Sequence, residues 1–263
     1  MMRTDLSNAE YHADDSISSS DVKMVASKSL AHWKAKVYKS SPVFDLGTAV
    51  HAMVLESEKN LIVRGPEDRR GNKWKDAYAE AEANGQLLLT EADYDLAADM
   101  AHSLMMHPVG QRMSGPSVTN EASFFVTDPD TGLSLKTRPD SFWGDGRVVY
   151  DIKTTQAADP RSFGKDVLNY GYDIQAAFYM HVMNLAGFEV DTFIFACVEK
   201  TAPYACSVNM LSGEYLAYGR ARMRAALAQI ANACKTGVYD TGWSTELNLI
   251  QLPGWLEAPA DFN

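Results

Sequence analysis

The sequence predicts a single α/β domain, and three observations lead there. Over the first 110 residues, apolar side chains recur at helical spacing behind capping residues, as in "SISSSDVKMVASKSLAHWKAKV". The texture then changes to aromatic and β-branched runs on either side of Asp128-Pro129-Asp130-Thr131-Gly132, a strong turn signal. Finally, 263 residues without an internal repeat, a low-complexity tract or a linker suit one core better than several. We read one domain over 1–263, with a mainly helical part at 1–110, an α/β core at 111–239 and an irregular tail at 240–263 that contains "LPGW".

The elements follow in order. A first helix covers the stretch beginning at the Ser16 to Asp21 capping candidates and carrying Val22, Val25, Leu30, Trp33 and Val37. A second runs from about Asp45 to Leu55, a third from Lys73 to Ala83, and a fourth starts behind Thr90, with Asp93 completing a capping-box-like entry. Three antiparallel strands are expected near 121–127, 133–138 and 147–153, with "WGDG" (143–146) as the second turn. Asp159 and Pro160 form an N-cap and N1 pair for a short helix, and Ile174 to Leu185 makes a longer one. "DTFIFACVEK" and "YACSVNM" are a strand pair, and Ser212 to Cys234 is a long helix.

Composition narrows the function classes. No apolar run approaches membrane-spanning length, and the N-terminus has no leader pattern, so we expect a soluble protein of the cytoplasm, with no membrane partner. Cys197, Cys206 and Cys234 have neither zinc spacing nor even number, which disfavours a disulfide framework or a structural zinc site. No glycine-rich phosphate loop is present. The net charge of -10 argues against a generic nucleic-acid coat, but charge distribution matters more than its sum. Seven acids between Asp76 and Asp99 form an acidic face. Basic clusters at Lys23, Lys28, Lys34, Lys36 and Lys39, at Arg64, Arg69, Arg70, Lys73 and Lys75, and at Arg220, Arg222 and Arg224 could meet a polyanion.

The chemistry centres on "RVVYDIKTT", residues 147–155. As a strand, it puts Val149, Asp151 and Lys153 on one face and Val148, Tyr150 and Ile152 on the other. Asp140, in "TRPD", lies across the "WGDG" turn and can bring a second carboxylate to the same sheet end. Two carboxylates with open water positions are what Mg²⁺ accepts, and Lys153 could position or deprotonate a water and offset phosphoryl charge. Alone, this spacing describes a salt-bridged pair equally well. Gly47 and His51 share a helix face at i and i+4, with the glycine allowing close backbone approach, as do Gln175 and Tyr179; each pair also has an ordinary packing explanation.

Taken together, "YHADDSISSS", "LGTAVHAMVLE", "TRPD", "DIKTT", "YDIQAAFY" and "LPGW" resemble the PD-(D/E)XK nuclease superfamily, in the branch of the RecB and AddB nucleases. The resemblance is closest to the nuclease domain of the exodeoxyribonuclease VIII (RecE-type) recombination exonucleases of phages and prophages. It runs from about Tyr11 to Trp255. It implies a PD-(D/E)XK nuclease fold, a central mixed sheet with an antiparallel strand meander flanked by helices. It also implies divalent metal, Mg²⁺ or Mn²⁺, held by His51, Asp140, Asp151 and the carbonyl of Ile152. Lys153 matches the catalytic lysine, Glu121 an additional acid near the metals, and Gln175 and Tyr179 a motif bordering the active site that orients Lys153 or the scissile phosphate. Asp151 stands where glutamate is commoner. Three scattered cysteines do not match the four that hold an iron–sulfur cluster in some relatives. The activity so implied is 5′ to 3′ digestion of linear double-stranded DNA, leaving 3′ single strands, by a toroidal tetramer with a single-strand annealing partner in a bacterial host cytoplasm. A single-strand or structure-selective endonuclease and a non-catalytic DNA-binding protein are the alternatives.

Overall fold

The computed structural model describes residues 1–37, 42–56 and 59–253. The chain opens with β1 (Met2–Arg3), α1 (Asn8–Ala13), α2 (Ser19–Ser27) and α3 (Leu30–Lys34). The single helix expected from Ser16 to Val37 is thus two, because Ser29 turns its hydroxyl back to accept from the amide of His32 at 3.2 Å and starts a new helix after Lys28. Next come α4 (Pro42–Leu55), β2 (Ile62–Arg64), α5 (Asn72–Ala83), β3 (Leu87–Leu89), α6 (Glu91–Met106) and α7 (Pro108–Met113). Thr90 caps α6 as expected, accepting from the amide of Asp93 at 3.1 Å.

The core that follows contains β4 (Val118–Asn120), β5 (Ser123–Thr127), β6 (Ser134–Thr137), β7 (Ser141–Trp143) and β8 (Val148–Thr155). It is completed by α8 (Pro160–Asn169), α9 (Tyr172–Leu185), β9 (Thr192–Glu199), β10 (Cys206–Met210) and α10 (Gly213–Thr236). Asp159 caps α8, and α10 runs from its Ser212 cap to left-handed Gly237. Residues 240–253 are without helix or strand, while Gly254 and Trp255 of "LPGW" and the lysine at 39 lie outside the described residues. Among the described residues, no helix is long and apolar enough to cross a membrane.

The fold is mixed α/β, with its principal sheet in the order β10-β9-β8-β7-β4, parallel only between β8 and β9. The expected meander is divided: β5 lies between β1 and β6 in a separate three-stranded sheet, and the antiparallel partner of β8 is the three-residue β7. Pro139 explains the division. It cannot donate to a ladder, so the chain leaves β6 there and re-enters pairing at Ser141. The β7–β8 hairpin requires Gly146, where an added Cβ would lie 2.1 Å from the indole of Trp143.

Strand β8 is covered on both faces along its first half, which suits its apolar residues Val148, Val149, Tyr150 and Ile152. Val149 packs with Phe193 and Phe195 against α2, α9 and α10, through Val22, Phe178 and Leu227 among others. Val148, Tyr150 and Ile152 pack on the opposite side with Val50, Met100, Leu104 and Met113 of α4, α6 and α7. Each such large buried side chain contributes about 1.5–3 kcal/mol, so the two cores hold β8 from both sides. Strand alternation therefore leaves Asp151 and Lys153 on the α9 side, beyond the apolar contacts of Val149.

One buried ion cluster locks the β5–β6 turn onto this layer. Asp128, fully buried, accepts from the hydroxyl of Thr131 at 2.6 Å and from Arg224 Nη1 on α10 at 2.9 Å, and its Oδ1 lies 3.0 Å from Nε2 of His181 on α9. Burial works against its charge, but the donors of Thr131, His181 and Arg224 outweigh that and hold its carboxyl down at about 2. A folded value below the unfolded one of about 3.9 means stability present above that pH and lost as the pH falls toward about 2. Asp128→Asn should lose about 3 kcal/mol in urea melts at pH 7 by leaving Arg224 without its buried partner. The gap to wild type should close as melts are repeated between about pH 4 and pH 2.

Candidate active site

Strand β8 outruns β7. Pairing between them covers Val148 to Tyr150, so the Ile152 amide and carbonyl, which point the same way from the strand, face an edge that β7 has vacated. Two side chains fill it. Asp140, just before β7, accepts from the Ile152 amide through Oδ2 at 2.5 Å, and Nε2 of His51 on α4 lies 3.2 Å from the Ile152 carbonyl oxygen. His51 Nδ1 is in turn 3.4 Å from Asp140 Oδ1.

Glu121 joins them at the turn after β4. The Asn120 side chain donates to the Leu55 carbonyl at the end of α4 (3.1 Å), and the Glu121 amide donates to the Asp140 carbonyl at 3.2 Å. Glu121 itself takes a left-handed φ of 52°, a strained conformation for a non-glycine residue. One ligand atom each from His51, Glu121 and Asp140 lies within 4.8 Å of the others. Glu121 was expected on a strand; its place at a turn is what lets its carboxylate fold back.

The electrostatics of this group are those of crowded, buried carboxylates around an imidazole. Burial, then the charge of Asp140, raise the Glu121 carboxyl to about 8. Burial depresses His51, but the carboxylates of Asp140, Glu121 and Asp151 outweigh it and raise the imidazole to about 9. Asp140 is held below the ordinary carboxylate range, because His51 and then Lys153 and the Ile152 amide overcome its burial. A histidine nitrogen, two carboxylates and the Ile152 carbonyl make a hard, anionic donor set held together only by protons, and a divalent cation suits it.

Asp151 and Lys153 sit beside this cradle on the other face of β8. The Asp151 carboxylate, almost fully buried, accepts from Gln175 Nε2 on α9 at 2.6 Å; its second oxygen lies 2.6 Å from Lys153 Nζ, close but off hydrogen-bond geometry. Burial and Asp140 push Asp151 upward, whereas Lys153 is raised because Asp151, Tyr172 and Asp140 overcome its burial. The Tyr172 ring lies under the ammonium, 4.8 Å from Nζ to its centroid. Gln175 therefore orients Asp151 directly, and Lys153 only through it. Tyr179, one turn on, rests edge-to-face on Phe193 at 5.8 Å and lines a cavity of about 690 Å³ with Tyr11 and Lys136. A second cavity, of about 530 Å³, opens beside His51 between Thr48, Thr154, Tyr170 and Lys200.

Two sequence expectations change. An added Cβ at Gly47 would meet only Thr154 Oγ1, at 3.9 Å, so close backbone approach does not require the glycine. Several arginines of the basic clusters are neutralised within the chain. Arg64 pairs with Glu91 and Asp95, Arg69 with Asp93, Arg222 with the buried Asp173 and Arg224 with Asp128 and Asp130. The acidic face is thus partly a counter-charge. Tyr172 was missed because nothing in its sequence neighbourhood marks an aromatic residue as the rest for a distant lysine.

The model of a family described as "PDDEXK-like domain of unknown function (DUF3799)" matches residues 16–251. Among curated proteins none matches. A crystal structure from Eubacterium rectale, named "Putative exonuclease", aligns with a TM-score of 0.62 over 95% of this chain and 96% of that one, at 15% identity, and so shares the fold. The structure of SSO0001 aligns at a TM-score of 0.31 and 11% identity over 79% of this chain and 84% of that one, too weak to argue from.

A metal entering the cradle must displace protons from His51 and Glu121, so its affinity should rise with pH up to about 9. Titrating Mn²⁺ calorimetrically at pH 7 in buffers of different ionisation enthalpy should reveal release of about one to two protons. Asp140→Asn should weaken binding by about tenfold or more.

Proposed function

Because the chain belongs to the family of PDDEXK-like domains, we propose that it is a divalent-metal-dependent nuclease, and specifically a 5′ to 3′ exonuclease that acts on linear double-stranded DNA. What supports this reading is the convergence of His51, Glu121 and Asp140 beside Asp151 and Lys153 at the open end of β8. The name of the Eubacterium rectale relative agrees with it. The proposed polarity, Mg²⁺, annealing partner and ring of four subunits rest on the resemblance to the RecE-type exonucleases alone.

His51, Glu121, Asp140 and the Ile152 carbonyl would hold the cation, with Asp151 adjoining. When bound, such an ion supplies Lewis acidity, lowering the pKa of a water and offsetting charge on the phosphoryl oxygens. The other residues prepare the phosphate's surroundings. Lys153, beside Asp151 and over the Tyr172 ring, donates toward a phosphoryl oxygen or holds the attacking water. Gln175 fixes the Asp151 carboxylate so that Lys153 keeps one position. The backbone clamp through Ile152 holds His51 and Asp140 at a fixed spacing.

Digestion of linear duplex labelled at one 5′ or one 3′ end tests the reading. With Mg²⁺, the 5′ label should be released first and closed circular duplex should survive. EDTA should abolish cleavage, and Asp151→Ala or Lys153→Ala should lower the rate by about 10²–10³. Undiminished cleavage by Asp151→Ala would sink the site assignment, cutting of the circle would establish an endonuclease, and early 3′ release would reverse the polarity.

A further inference from the structure

Helix α2 carries a second lysine to the same place. Lys23 is half-buried, and its stem lies in a groove that Gly171 opens in front of α9. Gly171 adopts a φ of +65°, and a Cβ there would sit 3.0 Å from Cδ and 3.1 Å from Cγ of Lys23. The ammonium lies 5.9 Å from the centroid of Tyr172, the ring that also supports Lys153. One aromatic ring thus has two lysines, delivered by elements far apart in sequence.

Lys23 has no counter-charge of its own. Asp151 and Asp173 are within electrostatic reach, but Asp151 is paired with Lys153 and Gln175, and Asp173 takes Arg222 through both oxygens at 2.8 and 3.1 Å. Among the described residues, no carboxylate comes within ion-pair distance of its Nζ. Burial, and after it the charge of Lys153, pull Lys23 down to about 8. A desolvated cation without a partner opposes folding, so its presence calls for an anion that arrives later. Lys23 reaches the Tyr172 ring from α2, with its ammonium 5.9 Å from the centroid, and Lys153 reaches it from β8 at 4.8 Å.

An anion reaching past Lys153 to Lys23 has to carry charge at successive positions, as a nucleic-acid backbone does. We propose that Lys23 contacts the substrate strand at the phosphate neighbouring the one at Lys153, making it a second phosphate-binding lysine of this site. The proposal rests on the nuclease reading above. It also separates Lys23 from Lys34 and Lys36 of its cluster: Lys36 pairs with Asp21 and Lys34 lies over the ring of Tyr239.

The test measures binding of end-labelled linear duplex by fluorescence anisotropy, with Ca²⁺ replacing Mg²⁺, across a salt series, together with melting temperatures and Mg²⁺-dependent cleavage. Lys23→Met should weaken binding about tenfold at 0.1 M salt and reduce the slope of log K against log salt by about 0.9, the counterion share of one phosphate contact. It should melt no lower than wild type, since it removes an unpaired charge, and Lys23→Arg should keep the wild-type slope. An unchanged slope in Lys23→Met overturns the proposal, whether or not its melting temperature falls. Wild-type protein that neither binds nor cleaves the duplex overturns the nuclease reading and this one with it.

Discussion

The site depends on the two backbone polar groups of a single residue, Ile152. Where β8 runs past β7, the Ile152 amide and carbonyl have lost their ladder partners in a nearly dry place, and an unpaired backbone group there would cost about 1–3 kcal/mol. Asp140 and His51 take up the two positions, and in doing so are brought within 3.4 Å of each other. Backbone satisfaction and assembly of the metal cradle are the same event. Pro139 sets it up by ending β6 without a donor, and β8 withstands it because an apolar core covers each of its faces.

The arrangement concentrates three buried carboxylates around one peptide edge. Glu121 is raised to about 8 by burial and by Asp140, and Asp151 is pushed in the same direction. His51, raised to about 9, and Lys153 partly compensate. Paired ions fix the elements around it: Asp173 with Arg222 anchors the start of α9, which carries Gln175, and Asp128 with Arg224 anchors the turn leading into β6. Local strain at a site balanced by well-satisfied groups around it is the usual division of labour in an enzyme.

How much of this was legible in the sequence follows from range. Strand β8 and its two faces were readable because alternation is a property of adjacent residues, and so were the starts of α6, α8 and α10, fixed by Thr90, Asp159 with Pro160, and Ser212. The helix break at Lys28 was harder, because Ser29 could serve either as a helical residue or as a cap. The division of the strands between two sheets escaped notice because β7 is only three residues long and β5 and β6 find their third partner at Met2 and Arg3. Residue pairs far apart in sequence were invisible to any local pattern. Arg222 and Arg224 looked like DNA contacts until Asp173 and Asp128 proved to be beside them. The spacing of His51, Gln175 and Tyr179 left ordinary packing open and that of Asp140 with Asp151 and Lys153 a salt bridge, and Glu121 entered through motif resemblance alone.

The central claim is that the Ile152 clamp builds a divalent-cation site from His51, Glu121 and Asp140. Anomalous diffraction from crystals soaked in Mn²⁺ tests it directly. The account predicts the strongest anomalous peak among those three side chains, at about 2.0–2.6 Å from their ligand atoms, with the Ile152 amide still bonded to Asp140. A peak bound by Asp151 without His51 and Glu121, or a cradle left empty while Mn²⁺ orders elsewhere, would contradict it.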